Sequence, residues 1–134
     1  MIKTIIKKSI KTHPLKHGVK KAIKKKLDVL WSQIVRKRNN GNCEVCGNPG
    51  QNSHHVISRR NLNLRWDLKN GINLCISCHM FGRNSAHQNS LFFMEYFKSI
   101  REEDYNYLKE NQHVIVSFKM ADYEAIEKEL KEAQ

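Results

Sequence analysis

Apolar residues recur at helical spacing near both ends of the chain, and the middle follows neither a helical nor an alternating period for long. Ile2, Ile5, Ile6 and Ile10 fall opposite Lys3, Lys7, Lys8 and Lys11, which predicts an amphipathic helix that Pro14 ends. Val19, Ile23, Leu27, Leu30, Trp31, Ile34 and Val35 predict a second helix, stopped near Asn39-Asn40-Gly41. Leu62, Leu64, Trp66 and Leu68 alternate with polar neighbours and read as core ahead of a stacking platform. Beyond them the pattern is helical again. Leu91, Phe92, Met94, Tyr96, Phe97 and Ile100 form a broad stripe; Tyr105, Tyr107 and Leu108 mark Asp104 to Gln112; Tyr123, Ile126 and Leu130 mark Ala121 to Ala133. Val114 to Phe118 predicts a short strand or an extended packing segment, and Glu124, Glu127, Glu129 and Glu132 a solvated helix face.

Composition adds size and charge to this outline. A chain of 134 residues is one compact domain, and a small one to build on apolar burial alone. We divide it into a basic helical N-terminal arm (1–42), a core (43–90) and a helical C-terminal extension (91–134). The arm holds thirteen Lys or Arg against one acid, Asp28, while the remainder holds eleven against twelve. The net charge of +11 therefore sits in the arm. Such a segment tracks phosphates by counterion release and binds polyanions with little sequence preference. Lys20, Lys21, Lys24 and Lys25 are its candidate contacts, and a lysine-rich face kept for solubility is the plainer reading. The first helix is short enough to be marginal alone and could lie on DNA, a partner or an anionic membrane surface. No transmembrane run, repeat or low-complexity tract is present, so stable membrane insertion is not expected.

Two C-x-x-C pairs, Cys43/Cys46 and Cys75/Cys78, stand 28 residues apart. At this spacing four thiolates can converge on one structural Zn²⁺, each pair forming a knuckle. Gly47 supplies the positive-φ turn that the first knuckle needs. Two disulfides are the competing reading. With no apolar leader and cleavage site, a reducing cytoplasm is expected, where disulfides are rare.

A Cys₄ site is coordinatively full, which leaves His54, His55 and His79 to be explained. Ser53-His54-His55-Val56-Ile57 and Asn70-Gly71-Ile72-Asn73-Leu74-Cys75-Ile76-Ser77-Cys78-His79 resemble the motifs of the HNH endonuclease family over a stretch from Cys43 to about His87. The resemblance implies an α+β fold: a small ββα-metal finger, two strands and a helix around one catalytic divalent cation, here stabilised by the Cys₄ zinc site and flanked by N- and C-terminal helices. It implies His55 as general base, His54 and His79 as metal ligands, and Asn70 as the residue whose amide holds the His55 segment in register. Asn73 competes for that last role with a spacing that fits less well. Adjacent residues of a strand face opposite ways, so one imidazole can meet a metal while its neighbour stays clear. His87, eight positions after His79, would share a helix face two turns on; a third ligand, a phosphate contact and a solvated loop histidine all stay open. Nothing singles out His13, His17 or His113.

The family chemistry is hydrolysis of DNA phosphodiesters to 5′-phosphate and 3′-hydroxyl ends. Imidazole ligands make the site softer than a typical Mg²⁺ site, so Mn²⁺, Co²⁺ or Ni²⁺ is expected to serve at least as well as Mg²⁺. Arg59, Arg60, Arg65 and Arg83 read as phosphate contacts. Double-stranded DNA is the expected partner. A lone finger cuts one strand, so duplex cleavage implies a homodimer or two successive events. The Lys-rich arm and small size are similar to phage or mobile-element versions, which points to the cytoplasm of an infected bacterium. Two alternatives remain: a non-catalytic zinc-ribbon DNA-binding or packaging accessory, and a structure-specific nuclease of phage recombination.

Overall fold

The computed structural model describes residues 16–134, so the amphipathic segment expected ahead of Pro14 lies outside the described residues. Helix α1 spans His17–Arg36 and buries Ile23, Leu27, Trp31 and Val35. These stand four apart, a single narrow stripe, with Leu30 and Ile34 packed at its margin. Val19, expected on the stripe, is exposed. The helix stops where the sequence places the stop: Asn39, Asn40 and Gly41 take successive left-handed conformations, φ 52°, 56° and 78°. Asn and Gly are the residues that tolerate this turn.

Strands β1 (Asn52–His55) and β2 (Gly71–Leu74) pair antiparallel, with His54 opposite Ile72 and His55 opposite Gly71. The segment between them is a series of turns, so the alternation of Leu62 to Leu68 builds no strand. It drops Leu64 into one apolar cluster and Trp66 into another. After β2 comes one π-helical turn, Ser77–Phe81, ended by Gly82.

Three helices follow: α2 (Ser90–Ile100), α3 (Glu102–Asn111) and α4 (Met120–Glu132). The Asn89 side chain caps α2 by accepting from the Phe92 N–H, and three acids occupy the first turn of α3, where the helix dipole favours them. The buried face of α2 is Phe93 with Phe97. That corrects the broad stripe expected from Leu91 to Ile100, since Leu91, Phe92 and Ile100 remain exposed. Of the two forms expected at Val114 to Phe118 the packing segment is found and not the strand: Phe118 packs inward and Ile115 stays 96% exposed.

The result is α+β, a two-stranded sheet between two apolar layers. On one side α1 and α4 enclose Trp31, Val35, Trp66, Tyr123 and Ile126. On the other, Leu64, Ile72, Leu74, Phe93, Phe97 and Leu108 hold α2 and α3 against the sheet. No helix among the described residues is long and apolar enough to cross a membrane.

Candidate functional site

The four thiols meet at the end of β2. Cys43 N–H donates to the Asn48 carbonyl (2.6 Å) and Gly47 N–H to the Cys43 carbonyl (3.0 Å), closing a knuckle in which Gly47 has φ 79°. Cys78 N–H points at Cys75 Sγ (3.4 Å) in the second knuckle. All four sulfurs lie within 4.8 Å of one another, as free thiols rather than disulfides. Cys46 and Cys75 Sγ are 3.6 Å apart. Zn–S bonds of about 2.3 Å in a tetrahedron put sulfurs roughly 3.8 Å apart, so the cluster can hold one zinc ion. Burial alone would raise the Cys43 thiol, yet backbone N–H groups of Cys46, Cys75 and Val45 draw it down to about 7. Burial and the neighbouring thiols push Cys78 up, as expected when like groups crowd together.

The alternation of β1 sends its two histidines to opposite faces. His54 points toward α2, where its ring meets Phe93 (centroids 5.3 Å), His79 (5.2 Å) and His87 (5.3 Å), each edge to face. His79 sits in the π-helical turn rather than on a longer α-helix, and His87 does not lie two turns further along it. Gly82 ends the turn and the chain doubles back: Ala86 N–H donates to the Cys78 carbonyl (2.9 Å) and His87 N–H to the His79 carbonyl (3.2 Å). Backbone pairing, not helical periodicity, brings His87 home.

Three imidazole nitrogens, one from each ring, fall within 4.8 Å of one another. Nε2 of His79 and Nε2 of His87 are 3.2 Å apart, and His79 Nδ1 is buried without a partner. Two nitrogens on one cation at about 2.1 Å are separated by roughly 3.4 Å, close to the His79–His87 spacing, so the trio could hold a single metal ion. Burial, then the neighbouring imidazoles His79 and His87, hold His54 down at about 3. It is therefore a neutral donor at any physiological pH, the form a metal requires.

His55 turns to the α1 face. Its ring stacks on Trp31 with centroids 3.8 Å apart and planes 11° from parallel. Its Nε2–H donates to the Arg65 carbonyl at 2.8 Å. A carbonyl can only accept, so the ring's lone pair resides on Nδ1. Burial lowers the His55 pKa. Opposite it in register, Gly71 leaves room for the indole: a Cβ there would collide with Trp31 and Val35.

Asn70 is fully buried behind this segment. Its Oδ1 accepts from the Ile57 N–H (2.7 Å), while Nδ2 donates to the Ile57 (2.9 Å) and Leu64 (3.0 Å) carbonyls. Val56 N–H donates to the Asn70 carbonyl (3.0 Å), so both strands of the loop after His55 are tied to one residue. Asn73 is as buried but faces away, donating to the Arg36 carbonyl (3.0 Å) at the end of α1.

The arginines divide. Arg59 and Arg60 are exposed in the turn after β1, and Arg83 is exposed just past Gly82. Arg65 differs from its expected use as a phosphate contact: Nε and Nη2 both donate to Asp28 (2.9 and 2.6 Å), turning the guanidinium back onto α1. Lys21 and Lys25 stand exposed on α1, and Lys20 and Lys24 are half-buried. His17 and His113 lie on the surface outside either cluster, and His13 is outside the described residues. Sequence reasoning missed Trp31, Phe93 and the Arg65 carbonyl as neighbours of the histidines. Trp31 was legible only as core, and a carbonyl leaves no residue-type signal.

The model of the HNH endonuclease family matches residues 43–80, from the first thiol through His54, His55 and Asn70 to just past His79. No curated protein and no solved structure matches the chain.

Proposed function

From an HNH endonuclease segment at residues 43–80 as premise, we propose that the protein is a metal-dependent DNA endonuclease in which His55 is the general base. The observation that carries this reading is the division of two adjacent imidazoles: His54 joins two further histidines, and His55 keeps a lone-pair Nδ1 on the other side of the strand.

His54, His79 and His87 would hold one divalent cation, which when bound supplies Lewis-acid stabilisation of the phosphoryl and leaving 3′ oxygens. His55 Nδ1 takes the proton from the attacking water, leaving 5′-phosphate and 3′-hydroxyl products. Asn70 keeps the His55 segment in place by holding the loop that follows it. Arg59, Arg60 and Arg83 bind flanking phosphates, and Lys20, Lys21, Lys24 and Lys25 extend the contact along α1. Zinc on Cys43, Cys46, Cys75 and Cys78 serves the fold. Double-stranded DNA is the substrate, met in the cytoplasm of a phage-infected bacterium. A homodimer, or two visits, is needed to cut both strands.

The test is cleavage of supercoiled plasmid by wild type and His55→Ala across Mn²⁺, Co²⁺, Ni²⁺ and Mg²⁺. We expect wild type to nick with the first three at least as well as with Mg²⁺, and His55→Ala to fail with all. Turnover with Mg²⁺ alone would contradict the imidazole ligand set. Plasmid that is bound but never cut by wild type would favour a zinc-ribbon accessory, and a strong preference for branched over linear duplex would favour a structure-specific nuclease.

A further inference from the structure

A general base on a short, two-stranded sheet has little to hold its ring, and β2 offers His55 only Gly71 across the pair. The ring is instead held by α1. Trp31 covers one face of the imidazole in parallel contact. The indole is itself anchored, its Nε1–H donating to the Asp67 carbonyl at 3.0 Å, and Gly71 supplies the gap it occupies. The second constraint comes from one turn earlier on the same helix. Asp28 grips the Arg65 guanidinium through both carboxylate oxygens and also accepts from Trp66 Nε1 (2.9 Å). Those three bonds pin residues 65 and 66, and the backbone carbonyl of Arg65 is the group that takes the His55 Nε2–H.

Asp28 is the only acid among residues 1–42, in a segment otherwise committed to positive charge. Its bidentate partner lies on the turn-rich segment between β1 and β2, not on α1 or in solvent. The pair is half-buried, its side chains 17% and 28% exposed, and it ties α1 to that segment, so its use is sought in what it immobilises.

We propose that Trp31 and Asp28 are positioning residues for His55: the indole fixes the plane of the imidazole, and the Asp28–Arg65 pair fixes the carbonyl that keeps the hydrogen on Nε2 and the lone pair on Nδ1. The inference rests on the nuclease reading for its consequence, though not for its geometry. Neither residue belongs to the thiol or the imidazole cluster; both act by keeping the base in the one orientation and tautomer that can accept a proton from water. A base free to turn or to exchange tautomers spends part of its time unable to act, and the loss falls on turnover rather than on binding.

The experiment uses the full chain with zinc bound and four variants: Trp31→Leu, Trp31→Phe, Asp28→Asn and Arg65→Lys. Cleavage of duplex DNA is measured as kcat and KM, and ¹⁵N shifts of the histidine ring report the His55 tautomer whether or not DNA is cut. Wild type should show the Nε2–H tautomer alone. Trp31→Leu should lower kcat on the order of a hundredfold, and Asp28→Asn and Arg65→Lys about tenfold, with KM within about twofold of wild type. In these three the His55 signals should move toward a mixture of tautomers. Trp31→Phe, which can still stack, should recover most of the rate lost in Trp31→Leu. If Trp31→Leu fails to fold, the Asp28 and Arg65 variants decide alone.

The proposal is overturned if the ring signals of folded variants stay at the wild-type position, or if the loss appears in KM with kcat unchanged. A wild type that cuts no DNA with any metal would sink the nuclease reading, while the ring signals would still decide whether α1 orients His55.

Discussion

Cys43 and Cys75 are 1% and 8% exposed, with Cys46 and Cys78 nearer the surface, whereas none of the three imidazoles is fully buried and His87 lies in the open. Both clusters can hold a cation, and both draw ligands from the same short stretch of chain. They differ in what surrounds them. Cys43 and Cys75 belong to the apolar layer of Ile72, Leu74 and Phe97, while Cys78 is half-buried and Cys46 exposed. Among the imidazoles, His54 meets the Phe93 ring and His87 is exposed. A cluster whose ligation stabilises the fold has no use for an approach path; one that must admit a phosphate needs it. The two sites thus differ in how many of their ligands are buried, two of the four thiols and none of the three imidazoles.

That contrast can be broken most sharply at the thiols. Cys75→Ser removes a ligand from a site whose metal-binding energy is on the order of 10 kcal/mol, so the variant should lose its cooperative melt and its dispersed amide spectrum. A variant that melts like wild type would remove the distinction between the clusters. His55→Ala should lower plasmid cleavage by roughly a hundred- to ten-thousand-fold while zinc content and melting temperature stay near wild type. A parallel fall in melting temperature would make His55 part of the scaffold instead.

His54→Ala should abolish Mn²⁺ binding in calorimetry and still retain one zinc per chain. His87→Ala, which removes the exposed member of the trio, should only raise the Mn²⁺ concentration needed for half-maximal cutting. Equal losses in the two would mean that exposure does not grade the ligands.

Asn70→Ala should destabilise by about 3 kcal/mol in denaturant melts, because it strands the Ile57 N–H and two buried carbonyls. The smallest expected effect is on acid sensitivity. Burial and neighbouring imidazoles hold His54 near 3, against an ordinary 6.5, so below about 6.5 the unfolded chain binds a proton that the folded one refuses. In protein carrying zinc alone, stability should decline as pH falls from there toward 3. His54→Ala should flatten that decline, and an unchanged slope would place the acid sensitivity elsewhere, at the thiols.

Particular residues show how far the chain could be read in advance. The α1 stripe, its Asn-Asn-Gly stop and the Gly47 knuckle were legible because each depends on neighbours within a turn or two. The α2 face was not. Leu91, Phe92, Phe93 and Ile100 are all apolar, and only the sheet, by taking Phe93 and Phe97, selects which of them are covered. Arg65 carried the signal of a phosphate contact and was turned aside by Asp28, thirty-seven positions away. His87 looked like a helix-face question and was answered by a backbone bond to His79 after Gly82 reversed the chain.

Ligand types, their spacing along the chain and the opposed directions of His54 and His55 belong to the sequence, since covalent geometry and the pleat of a strand enforce them locally. Which imidazoles converge, which ring covers His55 and which of its nitrogens carries the hydrogen were decided only when α1, the turn-rich loop and α2 packed around the strands. Those contacts join residues far apart in the chain, and no local periodicity encodes them.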